Sequence, residues 1–317
     1  MMSKQVRKRI KNEVTALKRI LALVMALAML CALTGCVSDS ERQARKEALN
    51  ALNGSYGSYA MNDGTTIEPI ELFNNNDVIV KLVGIIGESD DIRLLFAVRN
   101  GTRKDINLSA DTLLINGWSL SSYFDESTVK AHSVTMVSMS SMSGYDDCVY
   151  LKAVPVWSLG LDITMYNSDY DQIGSVNYST YTSSYTGDEN IEPLDGYTIV
   201  DESGILIRLT NMTTSESGTK LTMYAQNDSS RHIAIGTNRA RLNGNPVEMW
   251  MWNGLVSGAR YLDTERISEE DTYGDVVVSA DDELTFNLEV SDYDNGTTLI
   301  SRDITVRVGD LLELSGF

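Results

Sequence analysis

The sequence predicts a mostly β chain, with two tandem β-sandwich domains that follow an N-terminal leader and a short helical and flexible tether. Three observations predict this class. Apolar and polar residues alternate with a period of two in many short segments, Asn-Gly pairs recur between those segments, and the second half of the chain repeats the first. Such alternation places the apolar side chains on one face of a sheet, which is buried when a second sheet covers it.

The first 35 residues have the layout of an export signal. Positions 1–19 hold seven basic residues and a single acid, Glu13, and 14 uncharged apolar residues then run from Ile20 to Leu33. That run is shorter than the roughly 20 residues that a membrane-spanning helix needs. The pattern therefore favours a signal peptide over a permanent transmembrane anchor.

The segment Leu33-Thr34-Gly35-Cys36 follows the apolar run directly. Here the sequence resembles bacterial lipoprotein precursors, whose lipobox has an aliphatic residue, small residues and then cysteine. The resemblance covers only the signal, residues 1–35. It implies cleavage between Gly35 and Cys36, a lipid on the Cys36 thiol, and a mature protein anchored to the cell membrane on its exported face, at the cell surface or in the periplasm. A chance cysteine after an ordinary signal peptide is the alternative.

Cleavage there would leave Cys148 as the one unmodified cysteine, since Cys31 leaves with the signal and Cys36 carries the lipid. The mature domains are therefore expected to fold without an internal disulfide. The segment from Cys148 to Leu151 is typical of the start of a strand, and we expect the thiol to be buried as a small apolar group.

The tether is predicted over residues 36–66. Ser40-Glu41-Arg42-Gln43 has the spacing of a capping box, which predicts a short helix that ends before Asn53. Residues 54–66 are polar and rich in turn-forming residues, so we expect them to complete a stalk between the membrane and the domains.

An internal repeat organises the rest of the chain. Shifted by 127 residues, Val78–Gly117 aligns without a gap to Ile205–Gly244, with matching apolar positions and matching Asn-Gly turns. Further on, Ser168–Asp171 returns as Ser291–Asp294. The repeat predicts a duplicated domain, with a first copy at 67–185, a polar linker at 186–196 and a second copy at 197–317.

Many short strands, few helical periods and only four prolines favour an immunoglobulin-like β-sandwich in each copy, with about seven strands. The repeats also resemble uncharacterised bacterial surface lipoproteins with tandem sandwich modules whose strands end in an Asn-containing turn. The residues that carry this resemblance are Asn100-Gly101-Thr102 and Asn227-Asp228-Ser229.

Composition excludes several function classes. The chain has 26 Lys+Arg against 44 Asp+Glu, a net charge of −18, and a negative surface repels nucleic acids. Its two histidines, His132 and His232, lie in no recognisable metal-binding or nucleophile motif. We therefore predict no catalytic residue, no required cofactor and no nucleic-acid partner.

Two segments are candidate binding sites. Glu269, Glu270, Asp271 and Asp275 belong to an acidic cluster that is a weak calcium candidate, with a solvated loop as the alternative. Trp250 and Trp252 are expected on one face of a single strand, two residues apart. Exposed, the two rings would form a flat surface for sugar rings or peptide aromatics; buried, they would belong to the core.

Taken together, these patterns predict a lipid-anchored, exported protein that acts as a binding or structural component of the cell envelope. The expected partners are the membrane, through Cys36, and a glycan, a peptide or another envelope protein. The alternative is a glycan-directed envelope hydrolase with a pair of carboxylates in an inter-domain cleft, at a separation of about 5–10 Å. Removal of residues 1–35 would leave 19 Lys+Arg against 43 Asp+Glu, so the exported domains are more acidic than the whole chain.

Overall fold

The computed structural model describes residues 38–75, 77–88, 91–141, 155–187, 191–270 and 272–315. Cys36 with the rest of the lipobox, Cys148 and Asp271 lie outside the described residues. Within the described ranges, no helix combines the length and the apolar character that crossing a membrane requires.

Strands make up most of the described chain, and the predicted mostly β, sandwich-type fold is confirmed. The strands of the first half are Ile70–Asn74 (β1), Val78–Glu88 (β2), Asp91–Asn100 (β3), Ile106–Ile115 (β4), Trp118–Leu120 (β5), Ser122–Phe124 (β6), Thr128–Val129 (β7), Ser133–Ser141 (β8), Ser158–Asn167 (β9) and Gln172–Tyr181 (β10). Those of the second half are Tyr197–Glu202 (β11), Ile205–Ser215 (β12), Gly218–Asn227 (β13), Ile233–Leu242 (β14), Asn245–Glu248 (β15), Trp252–Leu255 (β16), Ala259–Glu269 (β17), Glu283–Asp292 (β18) and Thr298–Arg307 (β19).

In the first half, one sheet has the strand order β1-β2-β3-β8-β6, and the facing strands run β10-β9-β4-β5 with β7 beside β4. Leu82 and Phe96 from the first sheet belong to one buried cluster with Ile106, Leu113 and Leu159 from the second. The two sheets therefore share a core, which is the defining feature of a sandwich.

The second half repeats this arrangement. Strands β11-β12-β13-β17 form one layer, and β19-β18-β14 with β15 and β16 form the other. Ile207 and Leu221 from the first layer share a buried cluster with Ile235, Phe286 and Leu288 from the second.

The structure repeats with the offset found in the sequence. Strands β12, β13 and β14 begin and end 127 positions after β2, β3 and β4. The turns after β4 and β14 also match, because Asn116 and Asn243 have φ of 54° and 51° and the glycines that follow have φ of 79° and 82°. Two successive positive φ angles are the geometry of a tight hairpin turn, which Asn-Gly adopts at little cost.

The helix in the predicted tether, Asp39–Leu52 (α1), starts before the expected position. Ser38 is the N-cap: its hydroxyl accepts from the Glu41 amide at 3.1 Å, and the Glu41 carboxylate accepts from the Ser38 amide at 2.8 Å. The prediction that the box is Ser40–Gln43 is wrong. The Glu41 carboxylate accepts the hydrogen bond from the N-cap amide, and among the described residues the Ser40 hydroxyl bonds to the Ser38 hydroxyl alone.

Helix α1 lies against the first sandwich. Ala48 and Ala51 pack on Val83 and Ala97, on the face of the sheet that points away from the core. The Lys81 ammonium donates to the carbonyl of the last helical residue at 2.9 Å. At the other end of the chain, Val308–Leu312 (α2) and a 3-10 turn, Glu313–Ser315, follow the last strand.

The two halves meet where β5 contacts the outer face of β13 and β17. Trp118 packs edge to face on Tyr224, with ring centroids 5.8 Å apart. The amide of Arg260 donates to the carbonyl of Gly117 at 2.8 Å. Tyr224 and Leu262 are buried within the hydrophobic cluster of the first half. This contact positions the surfaces on either side of it, which form the candidate site.

Candidate functional site

A groove of about 770 Å³ lies between the two halves. We call it the interface groove. The first half lines it with Ala110, Asp111, Thr112, Ser119, Leu120, Ser121, Ser122 and Asp162. The second half lines it with His232, Trp252, Asn253, Gly254, Tyr261 and Tyr293. The carboxylates and the Ser and Thr hydroxyls of the lining thus come from the first half, and all of its aromatic rings come from the second.

Trp252 begins β16 and pairs with Gly236 of β14. Its ring lies so close to Gly236 that a Cβ at that position would come to 3.0 Å from the indole. The side chain is nevertheless 58% exposed. A glycine opposite therefore lets the indole lie on the sheet while much of its surface stays in contact with solvent.

The sequence predicted a single strand around the tryptophans, and this prediction is wrong. Strand β15 ends at Glu248 and β16 starts at Trp252. Between them, the Thr237 hydroxyl donates to the Met249 carbonyl at 3.0 Å and accepts from the Met251 amide at 3.1 Å. Both methionines are buried, while Trp250 is 74% exposed. The alternation of buried and exposed residues thus persists without strand pairing, and both tryptophans belong to the surface.

Trp250 lies outside the interface groove. It lines a separate depression of about 550 Å³, together with Arg239, Arg241 and Glu270. The two tryptophans that the sequence places together therefore face different concave surfaces.

A stacked aromatic pair lines the interface groove together with Trp252. His232 and Tyr293 stack with ring centroids 4.0 Å apart and planes inclined by 17°. A Cβ at Gly254 would come to 3.1 Å from the Tyr293 ring and 3.2 Å from the His232 imidazole. Tyr293 lies in the hairpin turn between β18 and β19, within the repeated segment Ser291–Asp294.

The carboxylates of the groove come from β4 and β9. Asp111 is the extra residue of a β-bulge, because Ala110 pairs with Ile163 and Thr112 pairs with Asp162. A bulge re-aims the side chain of its extra residue. The Asp111 carboxylate accepts from the hydroxyls of Ser109 and Thr164.

Asp263 of β17 forms a hydrogen bond with a lining residue of the groove. The side-chain amide of Asn253, a residue of the groove, donates to its carboxylate at 2.8 Å. Burial raises the pKa of Asp263 above its usual value, although this hydrogen bond and others act in the opposite direction. Burial also raises the pKa of Glu265, two residues further on, and the negative charge of Asp263 adds to that shift.

The described calcium candidates have separate partners in the structure. Glu269 accepts from the Thr272 hydroxyl, and Asp275 forms an ion pair with Arg266. Glu270 lines the depression beside Trp250. Among the residues that the structure describes, which omit Asp271, no three metal-ligating side chains come together. Calcium binding by this cluster stays a prediction.

Comparisons with known proteins add little to this geometry. No family model matches the chain, and no curated protein matches it. A solved structure of the yeast GGA1 GAE domain is 12% identical and covers 36% of this chain and 97% of its own, with a TM-score of 0.21. The YadV chaperone is 9% identical and covers 73% of this chain and all of its own, with a TM-score of 0.20.

Sequence analysis missed most of the groove. Asp111, Asp162 and Tyr261 were not predicted as site residues, because nothing in their local patterns distinguishes them from other strand residues. Tyr293 could be seen only as part of the repeated segment Ser291–Asp294. The single usable signal was the pair Trp250 and Trp252, which the sequence predicted on one face without deciding between exposure and burial.

Proposed function

We propose that this chain is a lipid-anchored, exported binding protein of the cell envelope, and that the interface groove binds a glycan. The lipobox at Leu33–Cys36 supports the anchor. In this proposal the chain binds its ligand and catalyses no reaction.

We further propose that each half is an immunoglobulin-like module. The order β2-β3-β8-β6 opposite β10-β9-β4 corresponds to the ABED and GFC sheets of that fold, with β1 as an additional edge strand. In the second half, β12-β13-β17 opposite β19-β18-β14 follows the same order. In such modules the sandwich holds strand residues in a rigid arrangement, and strands supply most of the lining of the interface groove, including both carboxylates.

The exposed indole of Trp252 in the groove carries the proposal for a glycan. A flat ring held on a sheet presents apolar surface that the apolar face of a sugar ring can cover, and covering it removes both surfaces from water. Tyr293 offers a second ring nearby. The hydroxyls of Ser119, Ser121 and Ser122 supply hydrogen-bond donors and acceptors suited to sugar hydroxyls.

Substitution of the tryptophans tests this site. The full chain, purified in detergent, is applied to an array of envelope glycans, and the affinity for the glycans bound is then measured by calorimetry. Trp252→Ala is expected to lower that affinity at least about tenfold, whereas Trp250→Ala, which removes a more exposed ring outside the groove, leaves it unchanged. Equal losses in both variants, or no glycan bound by the wild type, would overturn the assignment. Release of new reducing ends would favour the alternative hydrolase.

The anchor is tested separately with Cys36→Ser. In bacteria that process lipoproteins, the wild-type chain is expected to incorporate a labelled fatty acid and to fractionate with membranes. The Cys36→Ser variant should lose the label and leave the membrane fraction. A variant that stays labelled, or a wild type that takes up no label, would contradict lipid attachment.

A further inference from the structure

We infer that the glycan bound in the interface groove carries free amino groups, so that the site selects cationic amino-sugar units over neutral or acidic ones. The inference rests on the proposed function of the groove. Its basis is the juxtaposition of two carboxylates, Asp111 and Asp162, with the exposed rings of Trp252 and Tyr293 across one groove.

The charges that line the groove are of one sign. Its fourteen lining residues all belong to the described part of the chain, and they include two aspartates but neither lysine nor arginine. A ligand that brings no positive charge would therefore leave both carboxylates unneutralised as it displaced their water. Partial burial of an unpaired charge is costly, and an ammonium group in the ligand removes that cost.

Both carboxylates keep capacity for a ligand. Ser109 donates to one oxygen of Asp111 and Thr164 to the other, and an ionised carboxylate accepts about four hydrogen bonds in all. Asp162 receives one long hydrogen bond, 3.4 Å from the side-chain amide of Asn177. The bulge that carries Asp111 directly adjoins the pairing partner of Asp162, so the two acids lie on neighbouring strands.

The aromatic rings favour the same ligand charge. The face of an indole or phenol ring attracts cations, with a contribution of about 0.5–2 kcal/mol per contact. An amino sugar combines a ring face that stacks with an ammonium group that pairs with a carboxylate. The net charge of −18 adds a longer-range attraction for cationic polymers and repels acidic ones.

A lysine-rich peptide would satisfy the carboxylates as well, but the groove favours the sugar. Four of the eight residues with which the first half lines the groove have short hydroxyl side chains, Thr112, Ser119, Ser121 and Ser122. These groups match the closely spaced hydroxyls of a sugar ring, which an extended lysine side chain lacks.

Two oligomers that share one sugar backbone test the inference. A β-1,4-linked glucosamine oligomer and its N-acetylated counterpart differ only in ammonium against acetamide groups. Binding of each to the full chain in detergent is measured by calorimetry at low and high sodium chloride. We expect the glucosamine oligomer to bind at least about tenfold more tightly at low salt, and this preference to shrink as salt screens the carboxylates.

Variants assign the preference to the two acids. Asp111→Asn and Asp162→Asn are expected to reduce the preference for the glucosamine oligomer, because each lowers the affinity for that oligomer more than the affinity for the N-acetylated one. Asp201→Asn, which removes an exposed carboxylate on β11 outside the groove, is the matched control and should change neither affinity. Should the bulge fail to form in Asp111→Asn, Asp162→Asn and the salt series still decide the question.

The outcomes separate this inference from the proposed function. Equal affinities for the two oligomers, or tighter binding of the N-acetylated one, would overturn the amino-sugar selectivity and leave glycan binding intact. Failure of both oligomers to bind, with other glycans bound on the array, would also overturn the selectivity alone. A lysine-rich peptide that bound as tightly as the glucosamine oligomer, and lost affinity in the same two variants, would overturn the choice of a sugar.

Discussion

Asn100 and Asn227 make the same four hydrogen bonds in the two halves of the chain. Each is fully buried at the end of a strand, and each side-chain amide donates to two carbonyls, those of Lys104 and Val129 for Asn100 and those of Arg231 and Leu255 for Asn227. Each side-chain oxygen accepts from the amide and the hydroxyl of the residue two positions further on. Both asparagines begin the segments that resemble the Asn-containing turns of bacterial surface lipoproteins.

This network predicts a stability loss in Asn227→Ala. The change leaves two carbonyls, one of them on buried Leu255, and a turn amide without their partner, and we expect a loss of about 3 kcal/mol in the free energy of unfolding. Urea unfolding of the full chain measures it. Asn245→Ala, at an exposed position, is the control, and a loss below about 0.5 kcal/mol in Asn227→Ala would show that the network contributes little.

Tyr224 predicts how firmly the two halves are coupled. Its ring is fully buried against Trp118, and its hydroxyl donates to Gln226 at 2.7 Å. Tyr224→Ala should cost about 4 kcal/mol and separate the thermal unfolding of the halves into two transitions, because it removes the buried ring through which the second half packs on Trp118 of the first. Tyr224→Phe, which keeps the ring, should cost about 1 kcal/mol. A single unshifted transition in Tyr224→Ala would contradict this account of the interface.

The same burial affects ionisation of Tyr224. It raises the pKa of the hydroxyl to about 12, although nearby arginines lower it. The ionisation of Tyr224 can be followed by the change in absorbance of the folded protein during an alkaline titration. Tyr224→Phe lacks this component, and in the wild type we expect it to occur near that pH. Titration of this component near pH 10, the value of an unperturbed tyrosine, would show that the hydroxyl is accessible to water.

Asp263 predicts a pH dependence of stability. Because burial raises its pKa in the folded state, the folded protein retains a proton there over a pH range in which the unfolded chain has lost it. Stability from this group is therefore greatest at acid pH and falls as pH rises through the raised pKa. The difference in unfolding free energy between wild type and Asp263→Asn should fall across that range. A difference that rose with pH would mean that the pKa is lowered instead.

Ser38 predicts the stability of helix α1. Ser38→Ala removes the hydroxyl that caps the Glu41 amide, and a lost N-cap costs about 1 kcal/mol. Hydrogen exchange of the α1 amides should therefore quicken. Ser40→Ala is the matched control, since its hydroxyl bonds only to that of Ser38. If exchange quickened in Ser40→Ala and not in Ser38→Ala, Ser40 would be the N-cap, as the sequence predicted.

The strands of this protein could be predicted because their signals are local. Leu221, Met223 and Ala225 alternate with polar or outward-facing residues, and such alternation specifies which face of a strand is buried wherever the strand lies. Asn116-Gly117 and Asn243-Gly244 likewise specify their own turns. The shared offset of 127 residues followed from these local patterns, because a duplicated pattern folds into a duplicated set of strands.

The interface groove could not be predicted in this way. Asp111 acquires its orientation from a bulge, which depends on the register between β4 and β9, and Trp252 faces it from the other half of the chain. Alternation along the chain indicated that Trp250 and Trp252 point to the same side, and the structure agrees that both are exposed. Only one of them borders the groove. Local periodicity determines whether a side chain points outward, but the packing of two sandwiches through Trp118 and Tyr224 decides which outward side chains face each other.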